Sequence, residues 1–588
     1  MERRHDEFSD SRRRLLRGYA PLVVFAAGFA LITLLVPSIG REQNVTTVRE
    51  SLAGQKSTSG RPTSTPTTAP AGTPTTGGSV TGTTAATAPS GAPSPSTAER
   101  SVSSSSAAVP KSGTGAAVTG NTSACPGQAL QVPGDPYSPP CVAFSGSNGG
   151  ATSNGVTAGT ITLSYRFTSD YSSESQSVDS LGGAAFTPTK ASTESTVNGL
   201  VAYFNSHFQF YGRKLAVDYF NGQGSMTNEE QDIGQAQTMA DATNVAQQIH
   251  AFADINTQDE LYANDLVQQH VVNFGGGDLA NSTLEASAPY TWGTSVSCNT
   301  LITAVMEVVD KELANRPAAY AGGSLKGQPR KIALLAPSSP DYASCANEAI
   351  ALAKAAGVTI SDDISYELDA STLTQQDDTI VAKLANDGDT TVLLFTDPIS
   401  NLLLTERAAQ QDYTPEWFEM GIAADVDAVA QLYDQSEWSH TFGISFLGEA
   451  VPVQDMLGYD AYKASNSDEP ATSVVQSAYE TLDELAIGIQ LAGPDLTPTT
   501  FEEGMRAYPG SQPGSDNLQF GSWLFPAGDF NPTQDSWLIS WNPNKVSPQN
   551  GQPGSYDIDT PRYKAGQYPT GPPALPSGFP YTPSANSS

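Results

Sequence analysis

Between Thr160 and Tyr219 the chain switches from a short apolar run to an amphipathic stretch and back. Thr160-Ile161-Thr162-Leu163-Ser164-Tyr165 reads as a strand. Val197-Asn198-Gly199-Leu200-Val201-Ala202-Tyr203-Phe204-Asn205 reads as a helix, and Tyr211 to Tyr219 as a turn feeding a second strand. The pattern continues downstream. Val271-Val272-Asn273-Phe274, Lys331 to Ala336 and Thr391-Val392-Leu393-Leu394-Phe395 are short apolar runs ending in turn residues, as strands buried on both faces do. Leu301, Ile302, Val305, Met306 and Val309 recur at helical spacing. So do Val475, Ala478, Leu482, Leu485 and Ile489, whose helix stops at Gly493-Pro494. Strands alternating with helices predict an α/β architecture of doubly wound parallel sheets.

The flanks lack this pattern. Residues 41–120 are dominated by Thr, Ser, Ala, Gly and Pro, which bury too little apolar surface to offset ordering entropy, so a disordered linker is expected. Some 80 flexible residues would reach about 50 Å. Ahead of them, a basic segment (1–18) with Arg12, Arg13, Arg14 and Arg17 precedes an uncharged apolar stretch (19–38), about long enough to cross a bilayer. The charge asymmetry places the first segment in the cytoplasm and the remainder outside. Two fates stay open: an uncleaved transmembrane anchor, or a signal segment that is removed, leaving a secreted protein. A Pro/Gly-rich tail occupies 546–588.

Charge narrows the partners. The chain has 29 Lys plus Arg against 61 Asp plus Glu, a field that repels a phosphate backbone, so nucleic acid is not expected as a partner. Four cysteines in an exported protein favour disulfides. Three connectivities are open; the favoured one joins Cys125 to Cys141, closing a Pro-rich loop in the lead-in segment (121–154), and Cys298 to Cys345. Neither the cysteine spacing nor the five histidines suggest a metal site. No Gly-x-Ser-x-Gly elbow and no Gly-Lys-Ser/Thr phosphate loop is present, so neither enzyme activity nor a cofactor is expected.

The lead-in Gly155-Val156-Thr157, the Ala202-Tyr203-Phe204-Asn205 run and the Gly212-Arg213-Lys214 turn together resemble the type 1 periplasmic binding proteins. Within that family the likeness is to the branched-chain amino-acid (Leu/Ile/Val) substrate-binding proteins of ABC transporters. Arg330 to Pro337, Asp341-Tyr342 and Ala351 to Val358 are similar to the opening of the family's second lobe. Ser477 to Gly493, followed by Leu496-Thr497, is similar to its late returning helix. The resemblance implies two lobes joined by a three-crossing hinge: lobe 1 at 155–289 plus 446–510, and lobe 2 at 290–445 plus 511–545.

In doubly wound sheets ligands sit beyond the carboxyl ends of strands. The long excursion Arg166 to Thr196 is one such loop, and could form a lid or only a solvated surface. Asn256 and Thr257 stand before a predicted helix, and Gly275, Gly276 and Gly277 form a second loop; backbone N–H groups there could hold a carboxylate. By resemblance, equivalent loops hold the ligand's carboxylate and ammonium. Tyr342 aligns with an aromatic that closes over ligand. Asp397 follows a strand, and Asp425 lies near a ligand-pairing Glu of the relatives; each is equally readable as a helix cap. The resulting expectation is an extracytoplasmic solute-binding protein that delivers a small polar ligand to an ABC importer. The other reading is a membrane-tethered sensor or adhesion module of the same fold.

Overall fold

The computed structural model describes residues 125, 128–172, 188–229, 231–275, 280–368, 372–422, 424–512 and 518–584. Segments 1–18, 19–38 and 41–120, the glycines Gly276 and Gly277, and much of the Arg166–Thr196 excursion lie outside these residues. Among the described residues no helix is long and apolar enough to cross a membrane.

The first lobe is built on a five-stranded sheet of β1 (Thr160–Phe167), β2 (Lys214–Asn221), β3 (Ala253–Thr257), β4 (Val272–Gly275) and β5 (Thr291–Trp292), in spatial order β2-β1-β3-β4-β5. All its pairings are parallel. The second lobe repeats the plan with β6 (Ile332–Pro337), β7 (Ile360–Tyr366), β8 (Thr391–Leu394), β9 (Glu416–Glu419) and β10 (Thr441–Ser445), in order β7-β6-β8-β9-β10. Each sheet therefore reverses direction beside its first strand, at β1/β3 and at β6/β8, the switch points where doubly wound sheets open a crevice. The continuous apolar runs suit this setting, since every residue of β6 and of β8 is buried.

The second sheet is extended by chain from the carboxyl-terminal region. β11 (Asp535–Val546) pairs antiparallel with β10, β12 (Pro553–Ile558) pairs antiparallel with β11, and β13 (Tyr563–Lys564) adds a short rung. The sheet thus runs past residue 545, and Tyr568 and Phe579 of the Pro/Gly-rich segment are buried in the lobe's core. At the other boundary β5 carries the first sheet past residue 289. Both differences have the same origin: a two-residue strand and a Pro/Gly-rich strand carry almost no periodic signal.

After β10 the chain returns to lobe 1 through the helices Val475–Ala492 and Pro498–Arg506. Tyr479, Leu482 and Leu485 of the first pack with Ile161, Leu163 and Phe204 in one core. Phe501 of the second lies edge-on to Phe274 and Trp292, with ring centres 6.0 and 5.9 Å away. Among the described residues three segments pass between the lobes, near Gly293, Gly448 and Phe520. They are tied to one another: Gly293 N–H donates to the Phe530 carbonyl at 3.1 Å, and Gly448 N–H to that of Gln519 at 2.9 Å. Arg562, stacked 4.0 Å over the Trp537 ring, reaches the carbonyls of Phe446 and Leu447 and the carboxylate of Asp535.

The lead-in is part of this construction. Tyr137 is fully buried; its hydroxyl donates to the Gly521 carbonyl at 2.9 Å and accepts from Phe520 N–H at 2.8 Å, on the third crossing. Arg213, from the Gly-Arg-Lys turn, donates to the carbonyls of Thr157, Pro494, Asn148 and Gly150 at 2.5–3.1 Å, binding lead-in, first strand and late helix together. Cys125 pairs with Cys141, and Cys298 with Cys345, with Cα atoms 5.8 and 5.9 Å apart, distances a disulfide spans without distortion.

Candidate functional site

The carboxyl ends of β8, β9 and β10 open onto a cavity of about 210 Å³. Lobe 2 contributes Tyr342, Thr396, Asp397, Gly421, Ile422, Asp425 and Ser445, with Trp537 and Ile539 of β11 and Tyr556 of β12. The crossings contribute Thr294 to Val296, Phe446 to Gly448 and Phe520. Lobe 1 closes the wall with Met456 and with Gln476, Ser477 and Glu480 from the first turns of the helix Val475–Ala492. A molecule held here touches both lobes and the segments that join them.

Asp397 caps the helix Pro398–Gln410. One oxygen accepts from Ile399 and Ser400 N–H at 2.9 and 3.0 Å; the other accepts from the hydroxyls of Tyr366 and Ser400, each at 2.6 Å. Its oxygens are already engaged by the protein, so the residue shapes the wall as a cap. Asp425 is freer: one oxygen accepts from Ser445 Oγ at 2.5 Å, and burial raises its pKa to about 6 despite that bond. Tyr342, on the helix Pro340–Ala355, is buried with its ring centre 5.2 Å from that of Phe395. Glu419, at the end of β9, folds over its own loop and accepts from Gly421 and Ile422 N–H at 3.0 and 2.9 Å. Gly421 there has φ +85°, and a Cβ would press on the Phe446 ring at 2.9 Å, so glycine sets how the loop meets the hinge.

Tyr342, Asp397 and Asp425 are therefore brought together at this cavity. Asn256, Thr257 and Gly275 are not among its lining residues. The reason is local. Asn256 and Thr257 lie in β3 itself, ahead of the helix Glu260–Gln268, which Asp259 caps. Asn256 N–H and Thr257 Oγ1 both donate to Asp254 at 3.0 and 2.9 Å, and Asn256 Nδ2 donates to the Arg166 carbonyl at 2.8 Å. Gly275 has φ +112° and lies so close to β3 that a Cβ would sit 1.8 Å from the Thr257 carbonyl oxygen. The lobe-1 switch point is occupied by protein instead. Arg166, at the end of β1 and 1% exposed, pairs with Glu229 at 2.6 Å and Asp241 at 3.3 Å, its guanidinium 3.6 Å over the Tyr262 ring. Burial would lower the pKa of this arginine, but Glu229, Tyr262 and Asp241 outweigh it and the net direction is up.

Glu480, Gln476, Trp537 and Tyr556 were not singled out by sequence pattern. The stripe Val475, Ala478, Leu482, Leu485, Ile489 marked their helix as core, and Glu480 lies off that stripe, which is the one signal that could have drawn attention to it. Trp537 and Tyr556 depend on β11 and β12 joining the second sheet. Among the described residues no group of three or more His, Cys, Asp or Glu side chains could hold a metal ion.

The sequence profile of the periplasmic binding protein family matches residues 178–549. That is well over half of the chain, and the chain belongs to this family, in its type 1 form: a solute-binding protein rather than an enzyme. A search of curated protein sequences finds no significant match. Among solved structures, a substrate-binding protein of an ABC transporter from Aeropyrum pernix is similar at 12% identity, covering 69% of this chain and 96% of its own, with a TM-score of 0.47. The branched-chain amino acid transporter substrate binding protein LivJ from Streptococcus pneumoniae, in complex with isoleucine, is 12% identical, covering 68% of this chain and 99% of its own, with a TM-score of 0.45. A fatty acid ABC transporter substrate-binding protein from Thermomonospora curvata is 14% identical, covering 74% of this chain and 100% of its own, with a TM-score of 0.47.

Proposed function

We propose that the protein works outside the cytoplasmic membrane, held there by the apolar segment 19–38 and the linker 41–120. It captures a small polar solute, such as an amino acid, an amide or a similar molecule, and presents it to an ABC importer. The observation that carries this reading is the placement of the cavity. Its walls come from the carboxyl ends of one sheet, from a helix of the opposite lobe and from the crossings between them, so a ligand would couple the two lobes. Membership of the solute-binding family and the basic-then-apolar N-terminal sequence support it.

The test is a thermal-shift screen of the full-length chain in detergent against amino acids, amides, polyols, aromatic acids and amines. A ligand that binds only the folded protein raises its melting temperature with concentration. At least one compound should do so, with the shift reduced in Tyr342→Ala. A folded protein that responds to no compound would refute the reading.

A further inference from the structure

The charges on the cavity wall are almost all of one sign. Among the described residues Asp397, Asp425, Asp427, Glu449 and Glu480 line it, against a single cation, Lys545. That lysine is already engaged: its Nζ pairs with Asp557 at 3.1 Å and donates to the Tyr556 carbonyl. An anionic ligand would find the described lysine of the wall already paired, and would meet acidic groups from both lobes. Like charges brought together out of water repel strongly, so such a ligand is selected against.

The carboxylates differ in what they have left to offer. Asp397 is saturated by its cap and by Tyr366, and Asp427 accepts from Tyr556 N–H at 3.0 Å. Glu480 lines the cavity from lobe 1, and burial raises its pKa, with no hydrogen bond or cation opposing the shift. Immediately behind it on the same helix, Asp483 and Glu484 are fully buried, and all four of their carboxylate oxygens are without a hydrogen-bond partner. Asp425 lines the cavity from lobe 2, its carboxylate bonded to the Ser445 hydroxyl and to its own backbone N–H. The remainder of the wall is apolar and aromatic, with Tyr342, Phe446, Phe520 and Trp537 prominent.

We propose that the ligand is an organic cation: an ammonium or guanidinium group that meets Glu480 from lobe 1 and Asp425 from lobe 2, on an apolar body packed against the aromatic wall. Aromatic faces favour such ions as well, through their quadrupole. The inference rests on the solute-binding reading and narrows it, since it excludes ligands whose only charge is a carboxylate.

A charge series on one constant body tests it: phenethylamine, phenethyl alcohol, phenylalanine and phenylpropionate, followed by linear amines and guanidines against fatty acids and benzoates. Each is titrated calorimetrically into the full-length chain at about 150 mM salt, where exposed charges are screened beyond roughly 8 Å. Cations should bind tightest and carboxylates weakest. Glu480→Gln should weaken the best cation at least tenfold while leaving a neutral analogue within twofold. Asp425→Asn should act likewise, with circular dichroism and melting temperature showing both variants folded. Anions binding as tightly as cations, or cation affinity unmoved by Glu480→Gln, would overturn the charge assignment and leave the binding-protein reading standing. A folded protein that binds no compound of any charge would overturn both.

Discussion

Replacing Arg166 with leucine removes the cation that pairs with Glu229 and Asp241 in a buried cluster. The guanidinium is 1% exposed, and the side chains it pairs with, Glu229 and Asp241, are 0% and 3% exposed. Leucine keeps part of the volume against Tyr262 but leaves the Glu229 carboxylate out of water without its cation, and Asp241 held by the backbone N–H groups of Gln223 and Gly224 alone. Breaking a buried pair in this way costs about 3–5 kcal/mol, a large share of the roughly 5–15 kcal/mol that holds a typical protein folded. The loss should show as a lowered midpoint in urea unfolding, followed by circular dichroism and by tryptophan fluorescence. It should also depend on pH. Burial already raises the Glu229 pKa against the pull of Arg166; without the arginine that opposition is gone, so the destabilisation is full when Glu229 is ionised and is lost as it takes up a proton. The gap between variant and parent should therefore narrow from pH 7 to pH 5. A loss below about 1 kcal/mol at pH 7, or a gap that does not change with pH, would refute the claim that this cluster is an electrostatic plug of the lobe-1 switch point.

Gly275→Ala should destabilise the first lobe by at least about 2 kcal/mol in the same assay, since it combines a left-handed backbone with a Cβ 1.8 Å from the Thr257 carbonyl. Reduction of the disulfides, or Cys298→Ser with Cys345→Ser, should lower stability by up to about 4 kcal/mol on the chain-entropy estimate for a loop of 47 residues, measured by thermal melting with and without reductant.

Much of this architecture was legible along the chain, because buried parallel strands need continuous apolar runs. The cores of β1, β6 and β8 could be placed from those runs, and the helix ending at Gly493 from its stripe and its glycine stop. β5 and β12 were not, since the partner strands rather than their own composition create them. The site divides in the same way. Asp397 could be marked because it follows a strand that a pattern can locate, and Tyr342 and Asp425 by the family resemblance. Asn256 and Thr257 have suitable chemistry and follow the same logic, yet their donors are taken up by Asp254 and by the Arg166 backbone. Whether a polar group is available depends on its three-dimensional neighbours, to which periodicity is blind. Glu480 shows the converse, an acidic residue on a core helix that lines the cavity from the opposite lobe.

The lead-in segment determines how the molecule responds to tension. A pull applied at Cys125 has a short covalent path through the disulfide to Cys141, which spares the chain between them much of the load. The neighbours of Cys141 are gripped by lobe 1: the Pro140 carbonyl accepts from Gln490 Nε2 at 2.9 Å and the Val142 carbonyl from Gln209 Nε2 at 3.3 Å. Tyr137 sits inside the bypassed loop, wedged against the third crossing. Lobe 1 is thereby the part on which a pull at Cys125 lands first, and the wedge at the third crossing lies off the disulfide path.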